Sequence, residues 1–487
     1  MHQVKHYPTP LLLFTLMVVI GICSFVLLSG DEKATIVPVV TALIVVIPSM
    51  AAIYRRNGGV PFDDIGALYL SAVTLYLVFP IATYLIRGMT FTPFNDSRLY
   101  SAQPGPSEIA KIEWLYVIYT VPCAVAYLYF GPKRSSGRTR LLQANKHLMF
   151  WCVLILAGIE CFLTAFSTLY HLSGDNYDQA NRRLVEVYNS IPLLLKQVHA
   201  HASGISIVVE VATLVFLFHE YNKYRLILLG WLVAESIVVV GGLGSRSPLV
   251  WLVLMMVVLY DHFVKRVRLF TAFLGVSLFL SGYLLFGYLR ANLQGFAPSN
   301  ATFLNSSNEF EALFGSAFDL NRRVEAGILT PPPLQVHIAD FLAPIPSQLL
   351  PFEKLDGSVW YTRVLGIEDT GAAFAFGVMA QSAIGFGWKQ LLILGWFTGY
   401  MLARLQRWYK ANSTNYWVLV TFVYLEISCY WLFRTSAFYF IVLVVFNVLP
   451  VYLILTFLAA RSKARPVLKT ATRYFPDGEV SSAEVSH

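Results

Sequence analysis

Apolar positions in this chain do not alternate with polar ones and do not form narrow helical stripes. They fill whole stretches of about 17 to 25 residues, the length a helix needs to cross a hydrocarbon core. Such runs are Pro10 to Leu28, Ile36 to Tyr54, Ile65 to Ile86, Trp114 to Phe130, Leu148 to Tyr170 and Ala202 to Phe218. They continue with Leu226 to Leu243, Pro248 to Phe263, Leu269 to Leu289, Gln390 to Leu405, Tyr416 to Phe433 and Ser436 to Ala460. The pattern predicts an all-α polytopic membrane protein of about twelve transmembrane helices. No small-residue cleavage site follows the first run, which therefore reads as a retained helix.

Between Leu289 and Gln390 the pattern breaks. This interval contains PPPLQVHIAD, FLAPIPSQLLPFEKLDGSVWYTRV and the Gly-rich GAAFAFGVMAQSAIGFGW. Crossing a bilayer does not require it, so it is the first place to look for function. The expected organisation is an N-terminal bundle over 1–289, a long loop over 290–388, C-terminal helices over 389–460 and a basic tail over 461–487.

Charge orients these pieces. Lys and Arg collect in alternate loops: Arg55 and Arg56; Lys133 to Lys146; Lys223 and Arg225; Lys265 to Arg268; Arg404 to Lys410; and the tail from Arg461. By the positive-inside rule these are cytoplasmic, which puts both termini inside and the long loop outside. Gly371 to Phe386 is apolar enough to pass for another span, but counting it would place the basic tail outside. It reads instead as a re-entrant or interfacial segment, whose backbone must be satisfied by protein or a water-filled cavity. The net charge of +8 is explained by these loops and gives no reason to expect nucleic acid. All five cysteines, Cys23, Cys123, Cys152, Cys161 and Cys429, fall within apolar runs and suggest neither a disulfide nor a metal site.

Three sets of residues carry candidate chemistry. Arg246, Arg290, Arg322, Arg323, Arg363 and Arg434 lie on the expected outer side, where guanidinium forks suit a diphosphate. Arginines at span ends also serve as headgroup anchors. Arg246 stands apart in GGLGSRSPL, a short turn between glycines and a helix-starting Pro248. His337 and Asp340 in QVHIAD, with Glu309, Glu311, Asp319, Glu325 and Glu353 nearby, are candidates to accept a proton from a sugar hydroxyl. The alternative for the His337/Asp340 pair is a capping or solvated role. Glu160, Glu210, Glu235 and Glu426 lie inside runs, where a carboxylate serves either proton coupling or a bond between helices. Trp360, Tyr361 and Trp388 read as sugar-stacking or headgroup-anchoring aromatics. No metal-ligand spacing occurs, so cofactor-free, metal-free chemistry is expected.

The GSRSPL turn, the run Ile345-Pro346 through Pro351-Phe352-Glu353-Lys354, and Phe386-Gly387 before the next span resemble the oligosaccharide repeat-unit polymerases of the Wzy family. The resemblance implies a GT-C-like membrane glycosyltransferase of the bacterial inner membrane that makes O-antigen or exopolysaccharide. A growing chain would pass from polyprenyl diphosphate to the sugar hydroxyl of a new lipid-linked repeat at the periplasmic face. It also implies diphosphate binding by Arg246, and membrane lipid, a flippase and a chain-length regulator as partners. The remaining outer arginines would bind substrate, and His337 or a loop carboxylate would assist the acceptor. Displacement would invert the anomeric centre. The alternatives are an O-antigen ligase and a transporter or flippase of lipid-linked saccharides.

The topology makes a direct prediction. In a cysteine-free background, single cysteines replacing Ser306 or Ser347 are expected to react with an impermeant thiol reagent applied from outside, and one replacing Ser136 is not. Outside labelling at position 136 would invert the arrangement.

Overall fold

The computed structural model describes residues 30–57, 62–86, 103–132, 151–159, 192–219, 247–264, 309–342, 355–366, 376–436 and 438–464, with isolated positions at 229–275 and 345–352. Helix is the one regular structure among the described residues, with no strand. In chain order the helices are α1 (Gly30–Asn57), α2 (Ile65–Ile86), α3 (Pro106–Phe130), α4 (Leu193–His219) and α5 (Ser247–Phe263). Then come α6 (Glu309–Glu325), α7 (Leu334–Leu342), α8 (Gly357–Val364), α9 (Gly377–Ile384), α10 (Trp388–Asn412) and α11 (Tyr416–Ile427). The last described elements are α12 (Trp431–Arg434), α13 (Tyr439–Leu443), a π-helical turn at Val444–Val448 and α14 (Leu449–Ala464).

Among the described residues four stretches are long and apolar enough to cross a membrane: Thr35–Asn57, Ile65–Ile86, Pro106–Phe130 and Tyr439–Leu458. Shorter apolar helices cover Gly204–Phe218, Val250–Phe263 and Tyr416–Ile427. The expected spans beginning at Pro10 and Leu269, and most of those beginning at Leu148 and Leu226, lie outside the described residues, as does the tail from 465.

Several helices begin earlier than the apolar pattern suggests. The third starts at Pro106 rather than Trp114, because Pro106 takes the first helical position and Glu108 accepts the Gly105 N–H at 2.8 Å. A proline needs no N–H there, and a glutamate two residues further on satisfies a donor that would otherwise be left open. The extension brings Glu113, expected in a loop, into a fully buried helical position.

The tightest packing joins α3 and α10, which run in the same direction. A Cβ built on Gly395 would lie 2.2 Å from the Tyr119 carbonyl oxygen, and one on Gly399 would lie 2.2 Å from that of Cys123. Gly395 and Gly399 form a small-xxx-small pair, the arrangement that lets two helix backbones touch where no hydrophobic effect draws helices together. Below this contact Gln406 of α10 reaches the turn before α2. It accepts the Ile65 N–H and donates to the Asp63 carbonyl, each at 3.0 Å.

The expected single span from Tyr416 to Phe433 is broken. Helix α11 stops at Ile427, the chain turns through 428–430, and α12 adds only four residues. No proline or glycine marks this break. Tertiary packing holds it, because Phe433 sits among Tyr76, Tyr116 and Tyr119 with ring centroids 5.4, 5.3 and 5.7 Å away. A non-helical backbone at this depth is tolerated because protein surrounds it.

Placing a Cβ at position 399 is expected to force α3 and α10 apart. Gly399→Ala should cost about 1–3 kcal/mol, the usual range for overpacking, measured as a lower unfolding temperature of the purified protein in detergent. An unchanged unfolding temperature would show that the two helices do not touch there.

Candidate functional site

The broken interval is not a loop in the structure. Its described residues fold into α6 to α9, four short helices with a small core of their own. Leu320 of α6, Val336 of α7, Leu355, Trp360 and Tyr361 of α8, and Phe376 and Ala380 at α9 pack together. Trp360 and Tyr361, expected to stack on sugars or anchor at headgroups, are core residues of this unit instead. Trp388 remains half exposed. The eight-residue α9 covers about 12 Å at 1.5 Å per residue, so it is not a crossing helix. It begins at Gly377 with φ +61°, and a Cβ there would meet a Leu313 methyl at 2.6 Å and the Phe433 carbonyl oxygen at 3.4 Å. This contact seats the unit on the broken α11/α12 segment.

Polar contacts fix the unit to the bundle. Arg322 clamps Glu108 through two bonds, Nε to Oε1 at 2.9 Å and Nη2 to Oε2 at 2.6 Å. Lys111 pairs with Glu325, and Thr83 donates to the buried Glu311 at 2.5 Å. Phe310 packs on Tyr76 and Phe79, and Phe314 stacks on Tyr116. Within the unit, Asp319 Oδ2 accepts from Arg323 Nε and from the Tyr361 hydroxyl, both at 2.8 Å. Burial and the adjacent Asp319 push the Tyr361 phenol well above the ordinary tyrosine range, so it stays a hydrogen-bond donor. The helices therefore form a roof latched over one end of the bundle.

The opposite end carries the basic residues. Asp64, fully buried, is bonded by Arg56 Nη2 at 2.7 Å, Asn57 Nδ2 at 3.1 Å, the Tyr127 hydroxyl at 2.5 Å and the Ala67 N–H at 3.2 Å. Lys410 Nζ donates to Asn57 Oδ1 at 2.9 Å, and Arg407 to the Gly131 carbonyl at 3.1 Å. Arg56, Arg407 and Lys410 were expected on one side of the membrane from charge alternation alone, and they share one end of the bundle. Asp63 and Asp64 were not singled out from the sequence. Their position directly before an apolar run was the available signal, since acidic residues favour helix starts.

The sequence-derived site residues fall into three groups. Arg246 and Arg290 lie outside the described residues. Arg322 and Arg323 are both on α6; Arg322 pairs with Glu108 of α3 and ties the roof to the bundle, while Arg323 pairs with Asp319 within α6. Arg363 is exposed in the last turn of α8, and His337 is exposed on α7. Asp340 follows one turn after His337 on the same helix, with its side chain outside the described residues. Arg434 ends α12 beneath the roof, its guanidinium 4.8 Å from the Trp431 ring centroid. Among the carboxylates named with His337, Glu311 and Asp319 are buried with hydrogen-bond partners, and Glu325 is exposed but paired with Lys111. His337 has the exposure a proton acceptor needs.

An apolar groove of about 720 Å³ opens beside the roof between α3 and α10, lined by residues such as Val121, Val125, Leu392, Trp396, Phe397 and Tyr400. Phe397 lies 5.4 Å from Phe438, which lies 4.7 Å from Phe341 on α7. Phe438 thus links Phe397 at the groove to the helix that carries His337. Among the described residues no cluster of His, Cys, Asp or Glu has metal-binding geometry. No protein-family model matches the chain, and no curated protein or solved structure matches it.

Proposed function

We propose that this chain is a polytopic inner-membrane glycosyltransferase of about twelve spans that polymerises lipid-linked repeat units. The observation that supports this reading most is the latched roof. It stands over the end of the bundle opposite the basic residues, its α7 carries an exposed His337, and Phe341 of that helix connects through Phe438 to the apolar groove between α3 and α10.

In this reading the roof faces the periplasm, both termini are cytoplasmic, and an isoprenoid tail lies along the α3/α10 groove. Arg246 clamps the diphosphate, with Arg290, Arg363 and Arg434 adding positive charge as negative charge builds on the departing group. Arg322 acts at one remove, by holding the roof to the bundle, and Arg323 by bracing the roof internally through Asp319. His337, with Asp340 one turn on, accepts the proton of the attacking sugar hydroxyl. The glycosidic bond to the diphosphate breaks as the new one forms at the opposite face of the anomeric carbon, which inverts it. A polyprenyl diphosphate leaves, and the chain gains one repeat at its reducing end.

Ligase, flippase and polymerase readings differ in product. Purified protein given single polyprenyl-diphosphate-linked repeats, a chelator and no nucleotide is expected to yield a ladder of longer chains. Arg246→Lys should abolish the ladder, because an ammonium supplies charge without the planar fork. No ladder from the wild type would remove the polymerase reading. A full ladder from Arg246→Lys would remove the clamp.

A further inference from the structure

Most buried carboxylates among the described residues are visibly held. Asp64 accepts four hydrogen bonds, Asp319 two at one oxygen, and Glu311 one from Thr83. Two are not. Glu113 on α3 and Glu426 on α11 are fully buried, and neither oxygen of either has a hydrogen-bond partner among the described residues. Burying an unpaired carboxylate is costly, and ionisable groups at membrane depth that lack a structural partner mark ion or proton pathways.

The two lie at opposite ends of a file of polar side chains. Glu113, Tyr116 and Thr120 are spaced three and four residues apart, so they share one face of α3. The Tyr116 hydroxyl and Thr120 Oγ1 are also buried and without a partner among the described residues. They offer positions where a water can bridge neighbours. Tyr116 and Tyr119 both flank Phe433. The Tyr119 hydroxyl is hydrogen-bonded to that of Tyr69 and donates to Thr398 Oγ1 at 3.2 Å. Tyr69 lies within electrostatic range of Cys429, and Cys429 of Glu426, across the break between α11 and α12. Beyond Glu426 the file reaches the basic end, where Asp63 and Asp64 before α2, Asp261 of α5 and Lys410 of α10 face it. Tyr84 of α2 faces Glu113 at the roof end.

We propose that the bundle conducts protons along this file, with Glu113 and Glu426 as the carboxylates that take up and hand on the proton. A proton enters at Glu113, passes through the Tyr116, Thr120, Tyr119 and Tyr69 hydroxyls and the water between them, and protonates Glu426. It leaves through the Asp63/Asp64 end. Each transit moves one positive charge and no electrons, so a membrane potential suffices to drive it. The proposal does not rest on the polymerase reading, because conduction requires no saccharide.

The test uses the full-length protein reconstituted in vesicles that contain a pH-sensitive dye, with a potassium gradient and valinomycin to set the potential. The wild type is expected to shift the internal pH several-fold faster than protein-free vesicles. Glu426→Gln and Glu113→Gln should fall to the protein-free rate at equal protein content, while Glu426→Asp, which keeps a carboxylate, should retain most of the flux. Tyr119→Phe removes one hydroxyl and no charge, and should slow the flux even if the glutamine variants reconstitute poorly. A wild-type rate equal to that of protein-free vesicles would overturn the relay. So would undiminished flux in Glu426→Gln or Tyr119→Phe.

Discussion

The arrangement depends on how closely α3 and α10 approach. Without Cβ atoms at Gly395 and Gly399 the α10 backbone lies against the carbonyls of Tyr119 and Cys123. That contact fixes the depth of everything else on both helices. It sets Gln406 at the turn before α2, and Tyr119 within reach of Thr398 and Tyr69. It leaves the outward faces of the same helices to form the apolar groove. In a lipid surrounding, apolar side chains gain little by choosing each other over lipid, so small residues and buried polar contacts decide which helices pair.

The two ends of the bundle use polar groups differently. At the basic end Asp64 gathers four donors, so its charge is spread over a network that ties α1, α2 and α3 together. At the roof end the contacts join segments far apart in sequence, as in Arg322 to Glu108 and Glu311 to Thr83. Glu311 is fully buried, so the Thr83 hydroxyl serves an oxygen that bulk water does not reach. Between the ends, Glu113 and Glu426 have no such partners among the described residues.

Much of this was legible in the sequence. The Ile65 to Ile86 run coincides with a helix of the same bounds, and the basic residues Arg56, Arg407 and Lys410 converge on one end. The break at 428–430 was not legible, because it comes from the fit of Phe433 into an aromatic cluster and not from any local signal. The start of α3 was legible in Pro106 and Glu108, but hydropathy alone starts it eight residues late and so hides Glu113. Charge alternation put Arg322 and Arg323 among the arginines expected on the outer side. Only the tertiary structure shows that each already has a carboxylate to hold. The buried Trp360 and Tyr361 illustrate the same limit, since an aromatic pair beside a Gly-rich segment reads alike whether it packs a core or stacks on a sugar.

Helices α6 to α9 form a roof docked on the bundle, and the Lys111–Glu325 pair offers the most direct access to it. Both side chains are more than half exposed, at 56% and 55%, and therefore open to reagents. Treating the protein in its native membrane with a zero-length carbodiimide should join Lys111 to Glu325, detected by mass spectrometry as a cross-linked peptide pair between α3 and α6. If Lys111 and Glu325 each react with other partners or with added amine and never with each other, the roof is not latched where the account places it.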